Sequence, residues 1–67
     1  METLGTALPK EQARVRTVLG HYKEIGPAGA FGALMIENSL QAADQAIISG
    51  DLTAMIRAYK DLKSIQE

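Results

Sequence analysis

The strongest constraint on the fold is the run Pro27–Ser49, PAGAFGALMIENSLQAADQAIIS, set between the breaks Gly26-Pro27 and Gly50-Asp51. Taking every third or fourth residue from Gly29 collects Gly29, Ala33, Ile36, Leu40, Ala43 and Ile47 on one helical stripe. Shifting back by one collects Ala28, Gly32, Met35, Ser39, Ala42, Ala46 and Ser49, and all but Met35 are small. The first stripe is suited to burying aliphatic surface. The second lets another backbone approach closely, which offsets the ~0.8–1 kcal/mol that a glycine costs inside a helix. Glu37, Asn38, Gln41, Asp44 and Gln45 form a polar arc, but Ala28–Ile36 is apolar or glycine on every side. Phe31 and Leu34 fall on the face that later carries Asn38, Gln41 and Gln45. A helix end that is apolar all round needs cover all round, from helix 1 or from another chain.

The flanking segments are read against this helix. Residues 1–8 are expected to be a flexible N-terminal arm, from which Leu4 and Leu8 can tuck onto the bundle. Pro9 suits the first position of helix 1, expected over 9–24, with Glu11 in its first turn. Val15, Val18, Leu19 and Tyr22, followed by Ile25, form its buried stripe; Lys10, Arg14, Arg16, His21 and Lys23 form its polar side. Gly20 weakens this helix and marks a close contact or an early end. Pro27 starts helix 2, expected over 27–49. Gly50 suits a left-handed position after that helix, and Asp51 an N-cap for helix 3, expected over 52–65. The helix 3 stripe reads Leu52, Met55, Ile56, Tyr59, Leu62 and Ile65. Residues 9–67 are thus a single all-α domain. It is a three-helix arrangement with a long central helix and a tight antiparallel hairpin between helices 2 and 3. By length, helix 3 covers the C-terminal part of the central helix and helix 1 the N-terminal part.

Sixty-seven residues supply a small core, and the chain has no cysteine and one histidine. Disulfides and thiolate metal sites are therefore out, and a His-based zinc site within one chain is disfavoured. Oligomerisation or very good helix packing is the usual remaining source of stability. A net charge of −1 argues against a dedicated nucleic-acid binder. No apolar run reaches membrane-span length, and Met1-Glu-Thr-Leu-Gly lacks the basic and apolar regions of a signal peptide. The expectation is a cytoplasmic protein with no cofactor and no membrane partner.

The segment AADQAIISGDLTAMIRAYKDLK resembles the helix-turn-helix of tetratricopeptide-like repeats, through Ala42, Ala46, the Gly50-Asp51 turn, Ala58 and Tyr59. The Trp and terminal Pro of that pattern are missing. The longer string EIGPAGAFGALMIENSL…SGDLTAMIRAYKDLK is similar to small helical proteins of unassigned role carried by Mu-like prophages. That resemblance implies a phage or mobile-element setting in a bacterial cytoplasm and supplies no activity.

Each pattern that could carry chemistry has a plainer reading. Gly26, Gly29 and Gly32 could expose N–H groups to a phosphate, but no strand precedes them and no Lys-Ser/Thr follows, so close packing is preferred. His21 lacks a nucleophile partner, and Glu24 is its only near acid in sequence. Glu37 and Asp44 share the outward arc of the central helix and read as a solvated face rather than a metal or acid–base pair. No enzyme is expected. The preferred function is a helical protein–protein interaction module, a homodimer or the binder of another protein. A phage or mobile-element modulator of a host protein is one concrete form. Its interface is Ala28, Phe31, Gly32, Leu34 and Met35. The alternative is a small nucleic-acid-associated regulator using a basic face of helix 1, Lys10, Arg14, Arg16 and Lys23.

Overall fold

Two glycines in the left-handed region divide the chain, Gly26 at φ +81° and Gly50 at φ +69°. In the computed structural model, which describes residues 3–66, three α-helices and one 3-10 turn lie between and around them. Helix α1 spans Leu4–Glu24, a 3-10 turn spans Gly26–Gly29, α2 spans Ala30–Ser49 and α3 spans Leu52–Lys63. Every helix packs on the other two, with α2 running back along α1 and α3 running back along α2. The all-α three-helix arrangement and the tight α2–α3 hairpin are as expected. At that hairpin the Gly50 N–H donates to the Ala46 and Ile47 carbonyls, at 3.1 and 3.2 Å, closing the end of α2. Asp51 then caps α3, accepting from the Ala54 N–H at 3.2 Å.

Helix α1 begins at Leu4 and not at Pro9, so the proposed arm of residues 1–8 is helical from its fourth residue. Met1 and Glu2 of that arm lie outside the described residues. A proline inside a helix removes one N–H and crowds the carbonyl four residues back, a penalty of about 3 kcal/mol. Here that carbonyl belongs to Gly5, which is exposed and open to water. Leu8 is fully buried and Leu4 half-buried. Burying a leucine is worth about 1.5–3 kcal/mol, enough to offset the proline. The Thr3 carbonyl accepts from the N–H groups of Thr6 and Ala7, which anchors the first turn.

With 21 residues, α1 runs the full length of α2 rather than covering only its N-terminal part. The Lys23–Glu37 pair, at 3.0 Å, holds one end of the α1–α2 contact. Near the other end the Gln12 amide donates to Asp44 Oδ1 at 2.7 Å. Asp44 also faces Arg16 at 3.7 Å. The expected solvated pair Glu37 and Asp44 is thus a set of clasps onto α1. Gln12 is buried although it is polar, and Asp44 is what satisfies it.

The core collects Leu8, Val15, Val18, Ile36, Leu40, Ala43, Ala58 and Leu62. The large stripe of α2 is buried through Gly29, Ala33, Ile36, Leu40 and Ala43, but Ile47 is exposed beyond the core. Leu52 and Ile56 are also exposed, although their spacing placed them on the buried stripe of α3. The reason is rotation. Ala58 and Leu62 are the buried residues of α3 and share one cluster with Ala43, so α3 turns that side to the core and leaves Leu52 and Ile56 outside it. Ile25 likewise points to solvent after the last turn of α1. Alpha-carbon crowding is sharpest where α1 turns back. A Cβ on Gly29 would collide with the Tyr22 carbonyl oxygen, and one on Gly32 would lie 2.6 Å from the Tyr22 ring. Gly20, in contrast, has nothing within 4 Å and does not end its helix.

These contacts give three expected outcomes, all read by thermal or urea unfolding. Leu8→Ala should destabilise by about 2–5 kcal/mol, where a loose arm would give almost no change. Gly29→Ala should destabilise by roughly 1–3 kcal/mol through overpacking, whereas Gly20→Ala should stabilise by about 0.8–1 kcal/mol through propensity alone. Asp44→Ala should lose about 1–3 kcal/mol by orphaning the buried Gln12 amide. Much of that loss should return in Gln12→Leu/Asp44→Ala, which leaves no polar group to satisfy.

Candidate interaction surface

Helices α1 and α3 both pack on one side of α2, and among the described residues nothing covers the opposite side. At 100° per residue, Phe31, Leu34, Asn38, Gln41, Gln45 and Ile48 line up on that outer side over ~26 Å. Met35 and Ala42 flank them toward α3, and all eight are exposed. None carries a charge. The neighbouring acids Glu37 and Asp44 are drawn toward α1 by Lys23, Arg16 and Gln12. Charge depletion at the centre of a patch is the compositional mark of an interface, more than bulk apolarity is.

The large side chains on this side are open to solvent: Phe31 is 74% exposed, Leu34 54%, Met35 53% and Ile48 76%. Ala28 is exposed at the neighbouring turn. Gly32 is not part of this face. It is half-buried under the Tyr22 ring and serves the α1–α2 contact. Its glycine stripe, like Gly29, is therefore packing inside one chain. Gly26 serves the turn through its positive φ.

Sequence periodicity missed the second apolar end. Ile48, Leu52 and Ile56, with Ile47, are exposed around the α2–α3 turn. Three of these, Ile47, Leu52 and Ile56, fall on stripes expected to be buried, because one apolar stripe on a helix looks alike whether it faces a core or solvent. The signal available was Ile48 itself, which sits off the large stripe beside the Gly50 break.

The basic residues of α1 do not form one face. Arg14 and Arg16 lie about 200° apart around the helix. Arg14 donates from Nη2 to the Leu62 carbonyl at 2.8 Å and from Nη1 to the Ile65 carbonyl at 2.9 Å, capping the end of α3. It also pairs with Glu11 at 2.9 Å. Arg16 and Lys23 point to the other side, toward Asp44 and Glu37. Lys10 is exposed near the start of the helix. His21 lies in the last turn of α1. Among the described residues, no group of three or more His, Asp or Glu side chains could hold a metal ion. No helix there is long and apolar enough to cross a membrane.

One shallow groove, about 320 Å³, runs between α2 and α3. Ala42, Ala54 and Ala58 line it, with the exposed Arg57 and Asp61 at its edge. Asp51 and Thr53 complete the lining, so it offers small side chains with two carboxylates and one guanidinium. Comparison with known protein families, characterised proteins and solved structures finds no match to this chain.

Proposed function

We propose that this chain is a non-enzymatic helical protein–protein interaction module that engages its partner through the outer face of α2. The observation that carries the reading is the uncharged strip from Phe31 to Ile48, apolar at both ends and left bare by α1 and α3. Fully burying a large apolar side chain is worth about 1.5–3 kcal/mol. The exposed fractions of Phe31, Leu34, Met35 and Ile48 therefore offer roughly 4–8 kcal/mol in all. That is comparable with the 4–15 kcal/mol that association itself costs. A partner must then bring apolar surface of its own, and a polar surface would not hold. Helix-against-helix or helix-in-groove binding meets that demand. The prophage resemblance favours a host protein in a bacterial cytoplasm as one form of the partner.

The test is capture of a partner by the immobilised protein in moderate and in high salt. Phe31 and Leu34 lie outside the core, so Phe31→Asp and Leu34→Asp should keep the fold and abolish capture, while high salt should leave it nearly intact. Lys10→Glu should have little effect. Capture that collapses with salt and with Lys10→Glu, and survives both aspartate variants, would move the activity to the charged side of α1 and overturn the reading.

A further inference from the structure

We propose that the partner on the α2 outer face is a second copy of this chain, docked antiparallel about a two-fold axis near the level of Leu40. This rests on the interaction-module reading above and goes further by naming the occupant and the register.

Four features of this face lead to a second copy. The first is the order of residues along the strip. Phe31, Leu34, Asn38, Gln41, Gln45 and Ile48 alternate in steps of three and four, the repeat by which two helices pack along their length. The bulk lies at the two ends and the amides lie in the middle. Antiparallel pairing then sets Phe31 against the other copy's Ile48, Leu34 against the stem of Gln45, and Asn38 against Gln41. Every apolar end meets an apolar end. A parallel pair would also match like with like, but it would align the two helix dipoles unfavourably.

The second is chemical. A two-fold axis places the same surface on itself, so a charged centre would repel its own copy. An amide both donates and accepts, so Asn38 and Gln41 satisfy each other across the axis. The third concerns the flanks. The Glu37 and Asp44 carboxylates of the two copies approach on one flank in this register. Each already has a cation beside it, Lys23 at 3.0 Å and Arg16 at 3.7 Å. The flank is therefore a row of neutralised pairs that can exchange partners across the axis.

The fourth is shape. On the other flank Met35 is exposed, and Ala42 opens onto the alanine-lined groove between α2 and α3. In the antiparallel register Met35 of one copy lies about 3 Å along the helix from Ala42 of the other. The flexible thioether can reach into this groove of about 320 Å³ and occupy part of it. A second copy also brings the matching apolar surface that any partner of this face must bring.

The chain has no cysteine, which makes single-cysteine cross-linking clean. Sedimentation from micromolar to millimolar protein should show a dimer, with Phe31→Asp weakening self-association by about tenfold or more. Phe31 is exposed, so circular dichroism of that variant should match the parent. Leu34→Cys and Gln45→Cys should each stay largely uncrosslinked alone and form a disulfide dimer when mixed. In the proposed register two copies of residue 45 sit about 16 Å apart along the axis, beyond disulfide reach. Efficient self-cross-linking of Gln45→Cys would overturn the antiparallel register. A chain that stays monomeric at millimolar concentration would overturn the second copy. In that case Phe31→Asp decides the broader reading: loss of captured partner keeps the interaction module, and no change in any readout removes both.

Discussion

The structure depends on how closely α1 approaches the start of α2. Tyr22 lays its carbonyl against Gly29 and its ring against Gly32, with no room for a side chain at either glycine. The turn at Gly26 makes this approach possible by taking a positive φ that other residues resist. Once α1 is seated there, its register along α2 follows. Lys23 reaches Glu37, and Gln12 reaches Asp44. Leu8, toward the far end, joins the core cluster that also holds Leu40, Ala58 and Leu62. Arg14 then meets the last carbonyls of α3 and ties the third helix to the first.

This seating has a consequence for the surface. Tyr22 and the stripe Ala33, Ile36, Leu40 and Ala43 commit one side of α2 to α1 and α3. Three helices of this size cannot also enclose the fourth quadrant, so Phe31, Leu34 and Met35 stay outside. The surface ion pairs contribute little to stability, about 0–1 kcal/mol each in solvent. Their effect on the outer face is larger. By holding Glu37 and Asp44 toward α1, they leave the strip between Phe31 and Ile48 without charge. The same contacts that stabilise the fold therefore shape the surface offered to a partner.

Local signals in the sequence were reliable where a single residue type has one strong conformational role. Gly50 and Asp51 ended one helix and began the next because a left-handed glycine and an N-terminal carboxylate have few alternatives. Signals failed where two terms of similar size compete. Pro9 reads as a helix start, yet the burial of Leu8 and Leu4 outweighs the lost hydrogen bond and carries the helix past it. Glu37 and Asp44 read as solvated because nothing in a one-dimensional pattern places Lys23, Arg16 and Gln12 opposite them. The candidate face was legible in part. Phe31, Leu34 and Met35 stood out as apolar residues off the main stripe, but Gly32 belonged to packing and Ile48 was overlooked.

What the sequence determined by itself was the number of helices, their breaks and the two stripes of α2, because these follow from periodicity and from the backbone limits of glycine and proline. The tertiary structure decided which stripe faces inward along each helix. Helix α3 turns Ala58 and Leu62 into the cluster that holds Ala43 and leaves Leu52 and Ile56 in solvent, a choice that apolar spacing along one helix does not make. It also decided that the basic residues of α1 divide between two neighbours, since charge in a sequence has no direction until a partner is placed beside it.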